Sequence, residues 1–316
     1  MTPSPLLFDN KYRLQKELGE GAFARVYLAE YLPLRQWRAL KIFRRDAPGM
    51  GSKDFEEYLR RFQHEAELGA QVGKHPHLIQ VFDFLQQGGI IALAMEYAPN
   101  GNLALRIRKE GALAIPTAIQ ITTELARGLA ALHEHDIVHR DLKPANILFD
   151  AQGRAQIADL GLAQSSSNLS QRSMRSQDVI MPHPGTPQYM SPEQQSSSAH
   201  LAPASDVYAL GCVLFEMLTG KLYKNQRPGT QAQTLRPEVP QWLNDLIIRM
   251  TAKDPEDRPW NGEETLELLK PPSPLGRGAG GEGIPPLPRE PPSGMIRGRV
   301  RVGLGVRDSP CNSRPT

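Results

Sequence analysis

The run HRDLKPANIL, His139 to Leu148, places Asp141, Lys143 and Asn146 in one short polar loop, and Asp159-Leu160-Gly161 adds a second carboxylate soon after it. Apolar pairs, Ile137-Val138 before and Ile147-Leu148 after, bound the loop. Asp141, Asn146 and Asp159 are the residue types that phosphoryl transfer needs close together. One carboxylate orients a hydroxyl; an amide and a second carboxylate hold magnesium through hard oxygen donors. An aspartate of ordinary pKa, about 3.9, is a poor base for a free alcohol, so Asp141 is expected to orient the hydroxyl and accept its proton late. Lys143 can neutralise charge on the group in transfer. His139 is expected to be packed structure rather than a base.

Upstream of that loop the pattern is mostly of strands. Tyr12 to Leu32, YRLQKELGEGAFARVYLAEYL, reads as a hairpin with Gly19-Glu20-Gly21-Ala22-Phe23-Ala24-Arg25-Val26 at its turn. Glycines there let a backbone approach phosphates closely. RALKIF follows as a third strand and carries Lys41; LIQVFDFL and IIALAMEY are two more. Between them, Phe55, Leu59, Phe62 and Ala66 recur at helical spacing over residues 52–72, and Asp54 with Glu57 suggests a capping-box variant. From Asn102 onward the pattern is helical. Pro116 suits a helix start, with Ile121, Leu125, Leu129 and Leu132 on one face. Ser205 is expected to cap a later helix whose residues Val207, Leu210, Leu214 and Leu218, with Val213, Phe215 and Met217, make it apolar nearly all round and therefore buried.

Taken in order, these motifs resemble those of eukaryotic-type (Hanks-type) serine/threonine protein kinases of the bacterial kind, over residues 12–269. The resemblance implies an α+β, bilobal fold, with a small β-rich lobe over about 12–97, a larger helical lobe over about 98–269, and ATP with Mg2+ in the cleft between them. It implies catalytic roles for Asp141 and Lys143, magnesium ligation by Asn146 and Asp159, and a nucleotide site formed by Leu18, Gly19, Gly21, Val26, Ala39, Lys41, Glu96 and Ala98. Met95-Glu96-Tyr97-Ala98 resembles the hinge that binds adenine, with Met95 at its back. Lys41 matches the lysine that holds the α- and β-phosphates. Glu65, in RFQHEAEL, matches the carboxylate that orients it; Glu57, Glu67 and Glu56 are alternatives.

Three positions depart from the family pattern: Ala24 stands for the third glycine, Leu160 for the usual Phe, and Gly69 for a bulky apolar residue four positions after Glu65. The last predicts a helix held less firmly in its active position, so that Gly69→Leu should raise basal activity. HRDLKPAN and PGTPQYMSPEQ, Pro184 to Gln194, resemble Ser/Thr rather than Tyr kinases, with Thr186 matching the threonine that touches the catalytic aspartate. Ser191-Pro192-Glu193 stands for the usual Ala-Pro-Glu. The resemblance pairs Glu193 with Arg258 and has Asp206 brace the catalytic loop. A serine-rich stretch, with Ser165, Ser166, Ser167, Ser170, Ser173 and Ser176, precedes Gly185. A phosphoserine there could dock on Arg140 and order the loop, so the chain's own activation loop is an expected substrate. The segment from Gly220 to Pro240 is short and polar where the family often has another helix.

Composition narrows the remaining possibilities. The 316 residues suffice for two lobes, and a formal net charge of +3 gives no footprint for nucleic acid. Residues 271–316 carry seven Arg, no Lys and three acids, leaving the remainder close to neutral. That tail also holds ten Pro and nine Gly, a composition that favours disorder. Its PPLPREPP, Pro285 to Pro292, has the PxxP spacing that a proline-binding module reads. Two cysteines, Cys212 and Cys311, suggest neither a disulfide framework nor a zinc site and fit a reducing, cytoplasmic setting. The longest apolar run, Val207 to Leu218, contains Glu216 and is too short for a membrane span. The expected partners are protein substrates.

Overall fold

A computed structural model describes residues 7–21, 24–43, 52–87, 90–160, 164–165, 187–195 and 202–270. All of them lie in one compact unit, Met1–Pro285; the second unit, Pro286–Thr316, lies outside the described residues. Ala22, Phe23, Gly161, Thr186, Gly185, the serines from Ser166 to Ser176 and the proline-rich tail are likewise outside them, as are the side chains of Phe55, Glu57 and Ser165.

The N-terminal portion is a six-stranded antiparallel sheet flanked by one helix. Strands β1 (Leu7–Phe8), β2 (Tyr12–Glu20), β3 (Ala24–Tyr31), β4 (Gln36–Phe43), β5 (Val81–Gln87) and β6 (Ile90–Glu96) are ordered β1-β2-β3-β4-β6-β5. β1 precedes the first strand expected from sequence; Phe8 is buried there and packs with Tyr12 in one core cluster. Helix α1 (Ser52–Val72) spans the expected residues and sets Phe62 against Phe43. The side chains of Asp54 and Glu57, the expected capping-box pair, lie outside the described residues.

The larger portion is built on α2 (Leu103–Glu110), α3 (Ile115–Glu134), α4 (Pro203–Thr219), α5 (Ala232–Leu235), α6 (Gln241–Met250) and α7 (Gly262–Leu268). Asn102 caps α2 by accepting from Leu105 N at 2.9 Å. Pro116 sits in the first turn of α3, where its missing N–H costs nothing. Ile121, Leu125, Leu129 and Leu132 are buried in the same core as α4, of which only Glu216 and Thr219 are partly exposed. Ala202, not Ser205, stands at the N-cap of α4. Ser205 is one turn further in, and its hydroxyl donates to Glu193 Oε1 at 2.8 Å. Gly262 opens α7 where a Cβ would lie 2.3 Å from Ala130 N, so only glycine permits α7 to approach α3 this closely. Between Gly220 and Pro240 the chain forms only a 3-10 turn, Tyr223–Asn225, and the four-residue α5.

Short strands carry the chemistry-bearing loops. These are β7 (Ile137–Val138), β8 (Ile147–Phe149), β9 (Ala155–Ile157) and β10 (Gln164–Ser165), paired β7 with β10 and β8 with β9. The loop holding Asp141 to Asn146 thus runs between β7 and β8, and Asp159 follows β9. No helix among the described residues is long and apolar enough to cross a membrane.

Candidate active site

Lys41 sits in the middle of the sheet, on β4, opposite Val26 of β3 on one side and Leu93 of β6 on the other. Glu65, 2% exposed on α1, meets its ammonium with both oxygens, at 2.9 and 2.7 Å. Asp159 Oδ1 approaches the same nitrogen at 2.9 Å. Burial alone would lower the Lys41 pKa, but the charges of Asp159 and Glu65 outweigh it and raise it above the ordinary lysine value. Burial pushes the Glu65 carboxyl up to about 7, with Lys41 opposing and Asp159 adding to the shift. Of the alternatives to Glu65, Glu56 and Glu67 are exposed.

The second cluster is the loop itself. Asp141 Oδ2 accepts from Lys143 Nζ at 2.6 Å and from Asn146 Nδ2 at 3.0 Å. The Asn146 amide nitrogen also donates to Asp141 O at 2.9 Å. Both its hydrogens face Asp141, which leaves the amide oxygen as a ligand for a cation. Asn146 O in turn accepts from Ala158 N at 2.8 Å, joining this loop to the residue before Asp159. Arg140 and Asp159 both adopt left-handed backbone conformations, with φ of 70° and 68°. Such strain in non-glycine residues persists only where surroundings over-determine it.

Asp206 of α4 supplies that constraint for Arg140. Its buried carboxylate accepts from His139 N at 2.7 Å, Arg140 N at 2.8 Å and His133 Nε2 at 3.0 Å. Burial would raise the Asp206 pKa, but the bond from His133 and the donors around it hold it below the usual carboxylate range. His133 Nδ1 accepts from Gly262 N at 3.2 Å, which defines a neutral ring carrying its proton on Nε2. His139, fully buried, accepts from Asp141 N at 3.2 Å and bonds Ala158 O at 3.1 Å through its other nitrogen. Its place is structural. His133, by contrast, carried no sequence signal; only the approach of α3, α4 and α7 reveals its part.

Leu18, Gly19 and Gly21 lie along β2 and the turn beyond it, all exposed. Gly21 N donates to Ala24 O at 2.8 Å, closing that turn. Ala39 is buried opposite Met95, and Arg38 lies opposite Glu96. Glu96 N is bonded to Gln80 O at 2.8 Å, and Ala98 follows the end of β6, partly exposed. The structure therefore gathers Lys41, Glu65 and Asp159 in one cluster and Asp141, Lys143 and Asn146 in another.

Gly69 departs from expectation. A Cβ built on it would fall 2.8 Å from Val81 Cγ2, so Val81 already occupies the space that a larger residue would claim. Neighbouring Leu68 is buried in the same core cluster as Leu78, Ile157 and Leu160. The helix is thus packed rather than underfilled, and Gly69→Leu is expected to disturb it instead of locking it.

The segment after the loop is also tied down. Arg258, 1% exposed, pairs with Glu193 at 2.7 and 2.9 Å and donates to the carbonyls of Ala252, Ala204 and Lys253. Tyr189 Oη donates to Glu216 at 2.5 Å, and Lys224 Nζ donates to Pro187 O at 2.9 Å and to Met190 O.

Comparison with known proteins now bears on this geometry. The family model for the protein kinase domain matches residues 12–267. The chain belongs to the protein kinase domain family. This kinase domain is 33% identical over 274 residues to the serine/threonine-protein kinase PrkC of Bacillus subtilis, covering 83% of this chain and 40% of that protein. It is 33% identical to a probable serine/threonine-protein kinase PknB of Lactococcus lactis, covering 82% and 42%, and 32% identical to PknB of Mycobacterium tuberculosis, covering 81% and 42%. The chain thus spans about two fifths of the length of these relatives.

Proposed function

We propose that this kinase domain transfers the γ-phosphoryl group of ATP to serine or threonine hydroxyls of proteins, its own activation loop included. The observation that carries this reading is the pair of clusters: Lys41 held by Glu65 and Asp159, and Asp141 held by Lys143 and Asn146. In a reaction with a loose transition state, catalysis is mainly positioning and charge stabilisation, and these groups supply both. All three Lys41 donors are engaged here, two by Glu65 and one by Asp159; were Asp159 to turn to a cation, the donor it releases would meet phosphate oxygens. Asp141 orients the acceptor hydroxyl and takes up its proton late, while Lys143 balances the charge of the transferred group. Leu18, Gly19, Gly21, Val26 and Ala39 would enclose the nucleotide, and the backbone of Glu96 and Ala98 would meet adenine.

The donor set suits magnesium. Asn146 presents an amide oxygen and Asp159 a carboxylate that is 44% exposed, both hard ligands. No group of three or more His, Cys, Asp or Glu able to hold a metal occurs among the described residues, so phosphate oxygens would complete the shell. When bound, Mg2+ would neutralise phosphate charge; Asn146 and Asp159 are the residues that would hold it.

Arg140 supports a regulatory part for the serine-rich stretch. Its Nε is buried without a hydrogen-bond partner among the described residues, and burial pushes its guanidinium pKa down to about 10 against the opposing Asp206. A phosphate group would satisfy that donor. A cytoplasmic setting fits the cysteine usage, and PPLPREPP offers a site for a proline-binding module.

Incubation of the purified chain with labelled ATP, Mg2+ and a generic protein substrate tests the reading. Label on Ser or Thr, absent in Asp159→Asn, is expected; an inactive wild-type protein that still binds ATP overturns it.

A further inference from the structure

Gln194 lies in a 3-10 turn, Glu193–Gln195, immediately after Pro192, far from Asp141 in sequence. Its side chain nevertheless reaches the catalytic loop. Nε2 donates to Arg140 O at 2.9 Å, across 54 positions of the chain. Its Oε1 accepts from Ser191 N at 2.9 Å and from Ser191 Oγ at 3.1 Å. These contacts define the amide orientation chemically. Turned over, the amide would aim its nitrogen at the Ser191 N–H and its oxygen at the Arg140 carbonyl. Ser191 is fully buried, and its hydroxyl, which the alanine usual at this position would lack, is one of the two groups that hold the amide in place.

Arg140 O belongs to the peptide unit that leads into Asp141. The N–H of that same unit, Asp141 N, donates to His139 Nδ1 at 3.2 Å, and the preceding N–H, of Arg140, donates to Asp206 Oδ1 at 2.8 Å. Arg140 is left-handed at φ 70°, a conformation a non-glycine residue holds only under constraint. Asp206, from the buried helix α4, and His139, from within the loop, constrain it on one side. Gln194 constrains the remaining group, the carbonyl, from the segment that follows the activation loop.

We propose that Gln194 is a positioning residue for Asp141, coupling the order of the Ser191–Gln195 segment to the aim of the catalytic carboxylate. This rests on the kinase reading above and adds a specific link to it. When the segment is seated, Gln194 holds the Arg140–Asp141 peptide in its strained orientation. When the segment is displaced, that peptide is free to relax and Asp141 loses its aim. The segment that follows the activation loop thereby reports to the catalytic residue through one neutral hydrogen bond.

The test uses the full chain with Gln194→Met, which keeps the volume and removes the donor, and Gln194→Asn, which keeps the amide but shortens its reach. Steady-state phosphorylation of a serine peptide is measured together with hydrogen exchange of the backbone over residues 139–142. Loss of one such bond predicts a fall in kcat of about fivefold or more in both variants, with KM for ATP and for peptide each changed less than about twofold. Faster exchange over 139–142 is expected alongside. A smaller fall in kcat, a loss carried by KM, or unchanged exchange overturns the proposal. A wild-type chain that transfers no phosphate overturns the kinase reading instead, and the exchange measurement alone then decides whether Gln194 holds the loop.

Discussion

Glu65 grips the Lys41 ammonium with both carboxylate oxygens, from a helix that begins beyond the strand carrying the lysine. The pair is almost wholly enclosed, and that enclosure makes it sensitive to pH: burial lifts the Glu65 carboxyl to about 7. Protonation below that value removes the charge that orients Lys41. The kcat/KM for ATP, which reports the free enzyme, should therefore fall as pH drops through about 7. Glu65→Gln should show a low rate without that acid limb. Stability runs the other way. The folded value lies above the unfolded one, so ionised Glu65 costs stability in full above about 7, and the cost fades as pH falls toward the ordinary carboxylate value. A pH–rate profile identical in wild type and variant would contradict this assignment.

Gly69 and Val81 should behave as one packing unit. Alanine ordinarily improves a helix by about 1 kcal/mol over glycine. Here its Cβ would press on Val81, whose branched side chain has little freedom to yield, and overpacking costs about 1–3 kcal/mol. Gly69→Ala is expected to lower the denaturation midpoint and Gly69→Leu to lower it further, with reduced activity. Gly69→Ala combined with Val81→Ala should recover part of the loss. Equal, additive losses in the double variant would show that the two positions are not coupled.

Arg258 is buried with every nitrogen engaged, and Glu193 is its carboxylate partner. Burial would raise the Glu193 pKa, but Arg258 outweighs it and lowers the value. Removing one member strands the other in a low-dielectric site, at a cost of about 3–5 kcal/mol. Glu193→Ala should therefore lower the thermal midpoint by roughly 6–20 °C for a domain of this size. An unchanged midpoint in calorimetry would show that the pair contributes little.

Arg140 should distinguish phosphorylated from dephosphorylated enzyme. Its Nε, without a hydrogen-bond partner among the described residues, is expected to bind an activation-loop phosphate, so phosphatase treatment should reduce the activity of the wild type. In Arg140→Ala the two forms should have equal activity, whatever its absolute level. A ratio that survives the substitution would place the phosphate elsewhere.

Lys224 stands in the abbreviated segment after α4 and donates to the carbonyls of Pro187 and Met190. Lys224→Met removes two charge-assisted bonds to the segment that precedes Ser191. An increase of about tenfold in KM for a protein substrate, with KM for ATP unchanged, is expected. Kinetics showing the loss in ATP binding instead would contradict the expectation that the segment Lys224 holds, Pro187 to Met190, bears on the protein substrate.

Local sequence carries the strands and helices of this domain because their periodicities are local. The Gly-rich hairpin, the helix over 52–72 and the enclosed helix after Pro203 follow from spacing and apolar content alone. The loop from His139 to Asn146 holds its three polar groups within a few residues, so its chemistry was legible without a fold. Capping was less so: Ser205 does not cap its helix, since cap choice depends on where the preceding chain enters and on competing partners such as Glu193. Tertiary structure alone decided that Asp159, 118 positions away, joins Glu65 at Lys41, that Val81 fills the space beside Gly69, that His133 supports Asp206, and that Gln194 reaches the catalytic loop. Those contacts join elements distant along the chain. Their partners are chosen by packing distance and by the need of buried polar groups for satisfaction, quantities that residue order does not express.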